Sequence, residues 1–273
     1  VSLASVEGGR YKRFVDATDR WHGRLFFGPG RLQYAGAVAA TSLHSHHTFQ
    51  LVLASGAPLR LLDERGDESS GHVALIPPGA EHAVVGSAPS VILLHVAAEV
   101  AAGRRLRTLD IPSDSARAWT RAGARLKPWV PERLPRRWSE AEALARTVLG
   151  ALEADIPLPP PTHPAIQRLL RVLPESLEED VRLATLARRV GLSPGRLSHL
   201  FAAQVGTPLR PYVLWLRMAR VAEHLSRGVS LTEAAHAAGF SDSAHLSHVF
   251  RRMFGMAPSS LAGLVEWVVP SRP

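Results

Sequence analysis

The chain has no cysteine, which excludes a disulfide-stapled scaffold, a thiolate nucleophile and a cysteine-ligated metal. It is almost without lysine: of 32 basic residues, only Lys12 and Lys127 are not arginine. It also lacks any apolar run approaching the ~18 residues a membrane span needs. Residues 1–19 are polar and charged where a signal peptide would carry its apolar stretch. These absences lead us to expect a soluble, cytoplasmic protein with no membrane partner.

What is present is a chain of 273 residues with 32 basic and 24 acidic groups, a net charge of +8. At roughly 150 residues per domain this length suggests two domains. An arginine fork suits phosphates and base edges better than a lysine point charge does. Codon bias would raise arginine just as well, so the ratio alone assigns no partner. Position is more informative than amount. Residues 1–160 carry 19 basic and 16 acidic groups, whereas 182–256 carry 10 basic against Glu223, Glu233 and Asp242.

Up to about residue 100 the sequence runs in short apolar or alternating segments (49–53, 59–62, 72–76, 91–96), punctuated by Arg65-Gly66-Asp67 and Pro77-Pro78-Gly79. These lengths and turns predict a small antiparallel barrel or sandwich. Residues 114–126 and 139–153 are rich in Ala, Arg and Leu and read as helices, the second with Ser139 and Glu142 spaced as a capping box. The span 104–146 holds 11 basic and 5 acidic residues, read as a solvated face, as a surface near DNA or as one in contact with the C-terminal domain. A proline-rich stretch then breaks the helical pattern and marks a linker. The expected division is 1–110 β-barrel, 111–156 helical segment, 157–162 linker and 163–273 helical domain.

The last segment contains an internal repeat. Leu183-Ala-Thr-Leu-Ala187-Arg-Arg-Val-Gly191-Leu-Ser193 recurs as Leu231-Thr-Glu-Ala-Ala235-His-Ala-Ala-Gly239-Phe-Ser241, and Leu197-Ser-His-Leu-Phe201 recurs as Leu246-Ser-His-Val-Phe250. In each copy a short helix ends at a glycine that can turn the chain sharply. Ser193 can cap the next helix in the first copy, and Ser241 or Asp242 in the second. Leu197, Leu200 and Phe201 form an apolar stripe at helical spacing, as do Leu246, Val249, Phe250 and Met253. Two helix-turn-helix units result, joined by an amphipathic run over 209–226. Eighteen residues at 1.5 Å rise make that rod about 27 Å long, enough to hold two recognition helices roughly one DNA turn apart. Arg217 and Arg220 on it either brace the units or meet phosphate. An αα-hairpin is the bland alternative for one copy, and two copies within a net charge of +7 weigh against it.

Residues 163–263 resemble the DNA-binding domain of the AraC/XylS family of bacterial transcription regulators. The resemblance is carried by Val229-Ser-Leu-Thr-Glu-Ala-Ala-His-Ala-Ala-Gly-Phe240-Ser-Asp-Ser-Ala-His-Leu-Ser-His-Val-Phe250-Arg-Arg-Met-Phe-Gly255-Met-Ala-Pro258 and by 212–225. Pro258-Ser-Ser-Leu261 departs from the family's usual aromatic-then-arginine ending. The resemblance implies double-stranded promoter DNA as partner, with RNA polymerase and a homodimer partner as further ones. It places DNA contacts at Gly195, Arg196, Ser198, His199, Ser243, Ala244, Ser247 and His248, makes 163–273 the DNA-binding domain and 1–110 the effector-binding one, and puts the homodimer interface on the helices 114–126 and 139–153 of a dimerisation segment 111–156. Arg251 and Arg252 are added as expected phosphate contacts.

His44-Ser-His46-His47-Thr-Phe-Gln50 and Gly71 to His82 together resemble the two cupin motifs, which many such regulators carry. The implied fold is α+β in two domains, a cupin-like β-barrel followed by an all-α domain with two helix-turn-helix units. His44, His46, Gln50 and His82 are then the candidate effector-binding residues, with 11–24 as a lid. Phe14, Trp21 and Trp138 read equally as core. His44, His46 and His82 also form a sound divalent-metal set, the one cofactor this chain suggests. Gln50 stands where the cupin glutamate would be and Gly86 where an asparagine would be, and both changes argue against an enzyme. The alternative function is a metal-dependent cupin enzyme with a helical assembly domain. A third is an oligomerising protein without a DNA role.

Overall fold

A computed structural model describes residues 20–268, apart from 29, 155, 158, 178–180 and 262. Phe14 and most of the expected lid therefore lie outside the described residues.

The N-terminal half is built on eight strands: β1 (His22–Gly28), β2 (Arg31–Val38), β3 (Thr48–Ala54), β4 (Leu59–Asp63), β5 (Glu68–Gly71), β6 (Val73–Ile76), β7 (His82–Val85) and β8 (Ala88–Ala97). A ninth, β9 (Val265–Val268), comes from the far end of the chain. They form two open sheets, a six-stranded one in the order β6-β3-β8-β2-β1-β9 and a three-stranded one in the order β5-β4-β7.

The expected cupin barrel is therefore corrected, because neither sheet closes. Closure would require the edge strand β1 to bond to the smaller sheet. Instead β1 pairs in parallel with β9, Gly23 opposite Val265 through Phe26 opposite Val268. An edge strand's free amides and carbonyls can be filled by only one partner. Here the C-terminal segment fills them.

The six-stranded sheet is covered on both faces, so its strands are apolar throughout rather than alternating. All seven residues of β3 are buried. On one face Phe26, Phe49, Leu51, Leu53, Leu75, Ile92, Leu94 and Val96 pack with Leu106, Leu126, Ala141, Val148 and Leu152. The last five come from α1 (Ala101–Leu106), a 3-10 turn at Ala124–Trp129, and α3 (Trp138–Glu153). Between them α2 (Ala116–Gly123) buries Trp119 completely, and Ser115 caps it. The capping box expected at Ser139 and Glu142 does not form. Glu142 is drawn away to Arg31, 2.6 Å distant, and Arg137 occupies the N-cap with no side-chain bond. Long-range charge pairing wins here over a local cap.

The C-terminal half is helical: α4 (Pro164–Val172), α5 (Leu183–Val190), α6 (Pro194–Val205), α7 (Leu209–Ser226), α8 (Leu231–Ala237) and α9 (Ser243–Phe254). The repeat's local chemistry is all visible. Gly191 terminates α5 at φ 72° and Gly239 follows α8 at φ 83°, left-handed values that a β-carbon would penalise. Ser193 caps α6 through Arg196 N–H, Asp242 caps α9 through His245 N–H at 2.7 Å, and Ser230 and Glu233 form a reciprocal box on α8. Leu197 and Phe201 are fully buried, as is Leu246, while Val249, Phe250 and Met253 are nearly so. Burying each such side chain contributes about 1.5–3 kcal/mol. Among the described residues no helix is long and apolar enough to cross a membrane.

Candidate functional site

The apolar stripes turn one side of each second helix inward and leave the other bare. On α6, Arg196, Ser198 and His199 are exposed, as is Gly195. On α9, Ala244, His248, Arg251 and Arg252 are exposed and Ser243 and Ser247 are half-buried. α7 spans the 18 residues between them. Of its two inner arginines, Arg220 donates to Pro174 O at 3.1 Å. Arg217 lies against the Gly239 turn, its Nε buried without a hydrogen-bond partner among the described residues. Both therefore sit against the body of the domain.

The N-terminal half grips the C-terminal end of each of these helices. Arg107 donates to the carbonyls of Ala203 and Gln204 at 2.8 and 2.6 Å, placing a cation where α6 leaves its last carbonyls unpaired. At α9, Ser42 donates its N–H and its hydroxyl to Gly255 O, and Ser45 N–H reaches Arg252 O at 3.4 Å. Further along the interface Tyr212 on α7 donates to Glu99 Oε1 at 2.9 Å. Burial raises the Glu99 carboxyl's pKa.

A cavity of about 280 Å³ lies between the halves. Trp21, Leu25, Leu32, Tyr34 and Leu93 form one wall, and Met218, Val221, Leu225, Leu246, Phe250 and Phe254 from α7 and α9 form the other. No arginine, lysine or carboxylate lines it among the described residues. Its polar lining includes Thr41, His44, Gln50 and His95. The remaining expected effector residues, His46 and His82, are buried but do not reach the wall. Trp21 is on the wall, in edge contact with Tyr34, whereas Trp138 packs against Gly28 on the other face of the sheet.

His44 and His82 meet through the backbone, each donating its N–H to the other's carbonyl at 3.0 and 2.9 Å. Their rings lie 4.2 Å apart, and His46 stands 5.1 Å from His82. Gln50 Oε1 is 2.6 Å from His46 Nε2 and 3.0 Å from His82 Nε2. His44, His46 and His82 bring ligand atoms within 4.8 Å of one another, a set that fits a divalent ion. Burial lowers the pKa of all three, that of His44 to about 4. They are accordingly neutral at pH 7. His47 packs edge-on to Trp215 of α7 and is pushed down by burial to about 3.

Sequence reasoning missed His95. Thr48 Oγ1 lies 3.0 Å from both His46 Nδ1 and His95 Nδ1, so it links the histidine group to the cavity wall. The available signal was a single polar side chain inside the apolar run 91–96.

Residues 186–263 match the helix-turn-helix domain family. Over 100 residues the chain is 33% identical to the transcriptional regulator GlxA of Rhizobium meliloti, a match spanning 36% of this chain and 31% of GlxA. In fold it is similar to an apo ToxT variant from Vibrio cholerae, with TM-score 0.56 at 12% identity over 87% of this chain and 98% of the other. Wild-type ToxT bound to an unsaturated fatty acid is similar at TM-score 0.50 and 10% identity, over 90% of this chain and 99% of the other. The likeness to ToxT is one of overall fold, and residues 186–263 of this chain are similar to the helix-turn-helix domain of the bacterial transcriptional regulators that it matches there, of which it covers about a third.

Proposed function

We propose that the protein is a sequence-specific regulator of transcription that reads promoter DNA through α6 and α9 and is biased by a small molecule in the cavity between its halves. The observation that carries this reading is that one wall of the cavity is made by α7 and α9. A molecule filling the cavity necessarily bears on the element that presents His248, Arg251 and Arg252. An occupant is allosteric only if its affinity and that of DNA change each other by the same factor.

The lining sets the class of molecule. The ToxT named above holds a fatty acid, whose carboxylate needs a cation or strong donors. This cavity offers neither arginine nor lysine among its described lining residues. Burying an unpaired carboxylate is strongly unfavourable, so a neutral, largely apolar effector fits best. His95 and His44, with Gln50, would orient its polar end. The volume is near the lower end of ligand pockets, which span about 300–1,000 Å³.

In DNA reading, Arg196, Ser198, His199 and His248 are assigned to base edges, with Ser243, Ala244 and Ser247 alongside. Arg251 and Arg252 are assigned to phosphates. A homodimer and contact with RNA polymerase complete the proposal. The enzyme alternative rested on the cupin resemblance, against which stand the open sheets and Gln50 at the cupin glutamate position. Selection of bound fragments from genomic DNA at a stated salt concentration, followed by footprinting, tests the reading. Protection of two adjacent major-groove segments per protomer is expected, and no protected site with or without cavity ligands would end it.

A further inference from the structure

The cavity between the halves has a third wall. Besides the sheet on one side and α7 and α9 on the other, Met256, Pro258, Leu261 and Trp267 of the C-terminal segment line it. Trp267 stands opposite Leu25 in the β1–β9 register, and both line the cavity. Strand side chains alternate between faces, so the preceding pair, Arg24 and Glu266, lies on the face turned away from it.

The walls differ in how firmly they are held. β1 pairs with β2 over seven residues in antiparallel fashion, but with β9 over four residues in parallel, the pattern that is less stable per residue. β9 is the outermost strand, so no strand bonds its other edge among the described residues. Only Val265 of its four residues is buried. The ion pair across the pairing, Arg24 Nε to Glu266 Oε2 at 2.8 Å, leaves 36% and 62% of the two side chains exposed, and such pairs stabilise little. Just before the strand Gly263 sits at φ 70°, with open space where a β-carbon would stand. A glycine there can turn the chain without a clash.

We propose that residues 263–268 form a strap that swings out on Gly263 to admit the cavity's occupant and closes over it, with Trp267 as its contact. This rests on the cavity being the ligand site, as argued above, and not on how DNA is read. Parting the other two walls would break apart buried sheet and helix packing. Local opening is least costly where buried apolar contacts are few and backbone bonds face solvent, and β9 meets both conditions. When it leaves β1, Trp267 withdraws and the cavity opens beside Leu25. Such a strap sets how fast the occupant enters and leaves, rather than which occupant fits.

The chain has no cysteine, so Arg24→Cys together with Glu266→Cys makes one defined disulfide across the pairing. Neighbouring strands lie about 4.8 Å apart, inside the ~4.4–6.8 Å between α-carbons that a disulfide spans, and the bridge stays outside the cavity. Uptake of phenylnaphthylamine, a neutral apolar fluorophore, is followed by stopped flow in the oxidised and reduced full-length protein. Oxidation should slow uptake and release together by about tenfold or more, with the equilibrium affinity nearly unchanged, and reductant should restore the parent rates. Equal rates in the two forms overturn the strap. Amide exchange reads the motion without a ligand: β9 should be about a hundredfold less protected than the buried strand β3, and oxidation should remove most of that difference. Equal protection of β9 and β3 in the reduced protein also overturns it. If the cysteine pair does not close, Trp267→Ala decides, since loss of the indole should speed uptake about tenfold and an unchanged rate is the overturning result. Failure of the effector reading looks different, with no fluorophore bound in either form while β9 still exchanges fast. That result ends the strap's role as a gate together with the reading on which it rests.

Discussion

Ser42 donates both its backbone N–H and its hydroxyl to the carbonyl oxygen of Gly255, at 3.0 and 2.9 Å. The two residues are 213 positions apart, and the contact joins the loop leading to the histidine group to the end of the second recognition helix. Gly255 is left-handed at φ 68°, and a β-carbon there would lie 2.4 Å from Ser42 O and 2.6 Å from His44 Nδ1. Gly255→Ala should therefore both strain the helix end and push the halves apart, costing about 2–3 kcal/mol. Ser42→Ala removes only the hydroxyl bond and should cost about 1 kcal/mol. Urea unfolding checks both. Equal losses in the two variants would show that the close approach does not matter.

At the other recognition helix, Arg107 is the corresponding grip. Arg107→Ala removes two bonds to carbonyls at the α6 end, and for a group this exposed the loss should be about 1 kcal/mol. Arg107→Lys should recover only part of it, since an ammonium cannot span both carbonyls as a planar fork does. Hydrogen exchange in the last turn of α6 is the appropriate readout. Unchanged protection in Arg107→Ala would remove this residue from the coupling between the halves.

DNA binding should separate the exposed side chains into two kinds. Arg196→Ala or His248→Ala should relax preference at particular base pairs, at about 1–3 kcal/mol per good contact. Arg251→Ala or Arg252→Ala should weaken binding to all sequences and lower the salt slope by about one per phosphate lost. Equal losses on specific and random DNA for His248→Ala would move it from base to phosphate contact.

Filling the cavity tests the effector reading without knowledge of the effector. Ala222→Phe places a ring among Met218, Val221 and Leu225 and should abolish uptake of a neutral apolar fluorescent probe. Overpacking should lower stability by about 1–3 kcal/mol. DNA affinity should become insensitive to any molecule that shifts it in the parent protein. Undiminished probe uptake would place the binding site elsewhere.

Acid should destabilise the metal-free protein. Burial depresses the folded-state pKa of His44 to about 4 and of His47 to about 3, and lowers His46, His82 and His95 as well. The unfolded chain therefore binds more protons between its own pKa near 6.5 and the folded values. Stability is complete above about 6.5 and is lost as pH falls toward 4, with His44 alone worth about 3 kcal/mol. Melting temperatures measured in chelator at pH 7.5, 6 and 5 should decline steeply. A flat profile would contradict neutral burial of the group.

What the sequence disclosed depended on how local the cause was. The tandem units were legible because their signals lie within a few residues: glycine at each turn, Ser193 as one cap and Ser241 or Asp242 as the other, of which the structure selects Asp242, and stripes at helical spacing. The 209–226 rod was legible to the residue for the same reason. The barrel expectation failed on a pairing between residues some 240 positions apart, β1 with β9, which no local pattern announces. The capping box at Ser139 failed likewise, since Glu142 is claimed by Arg31. His44, His46, Gln50 and His82 converge as their motif spacing suggested. Only the folded chain shows that two of them reach the cavity and that His95 joins them there.

The pairing of β1 with β9 means that two segments some 240 positions apart together make one edge of the six-stranded sheet. Cutting away the helical half and the strand that follows it would strip Gly23, Arg24, Leu25 and Phe26 of their partners and expose a bare strand edge with apolar neighbours. Such an edge takes a second copy of itself as readily as it took Val265 to Val268. An N-terminal half produced alone would thus self-associate for a reason foreign to the intact protein, and any dimer measured on it would report the amputation.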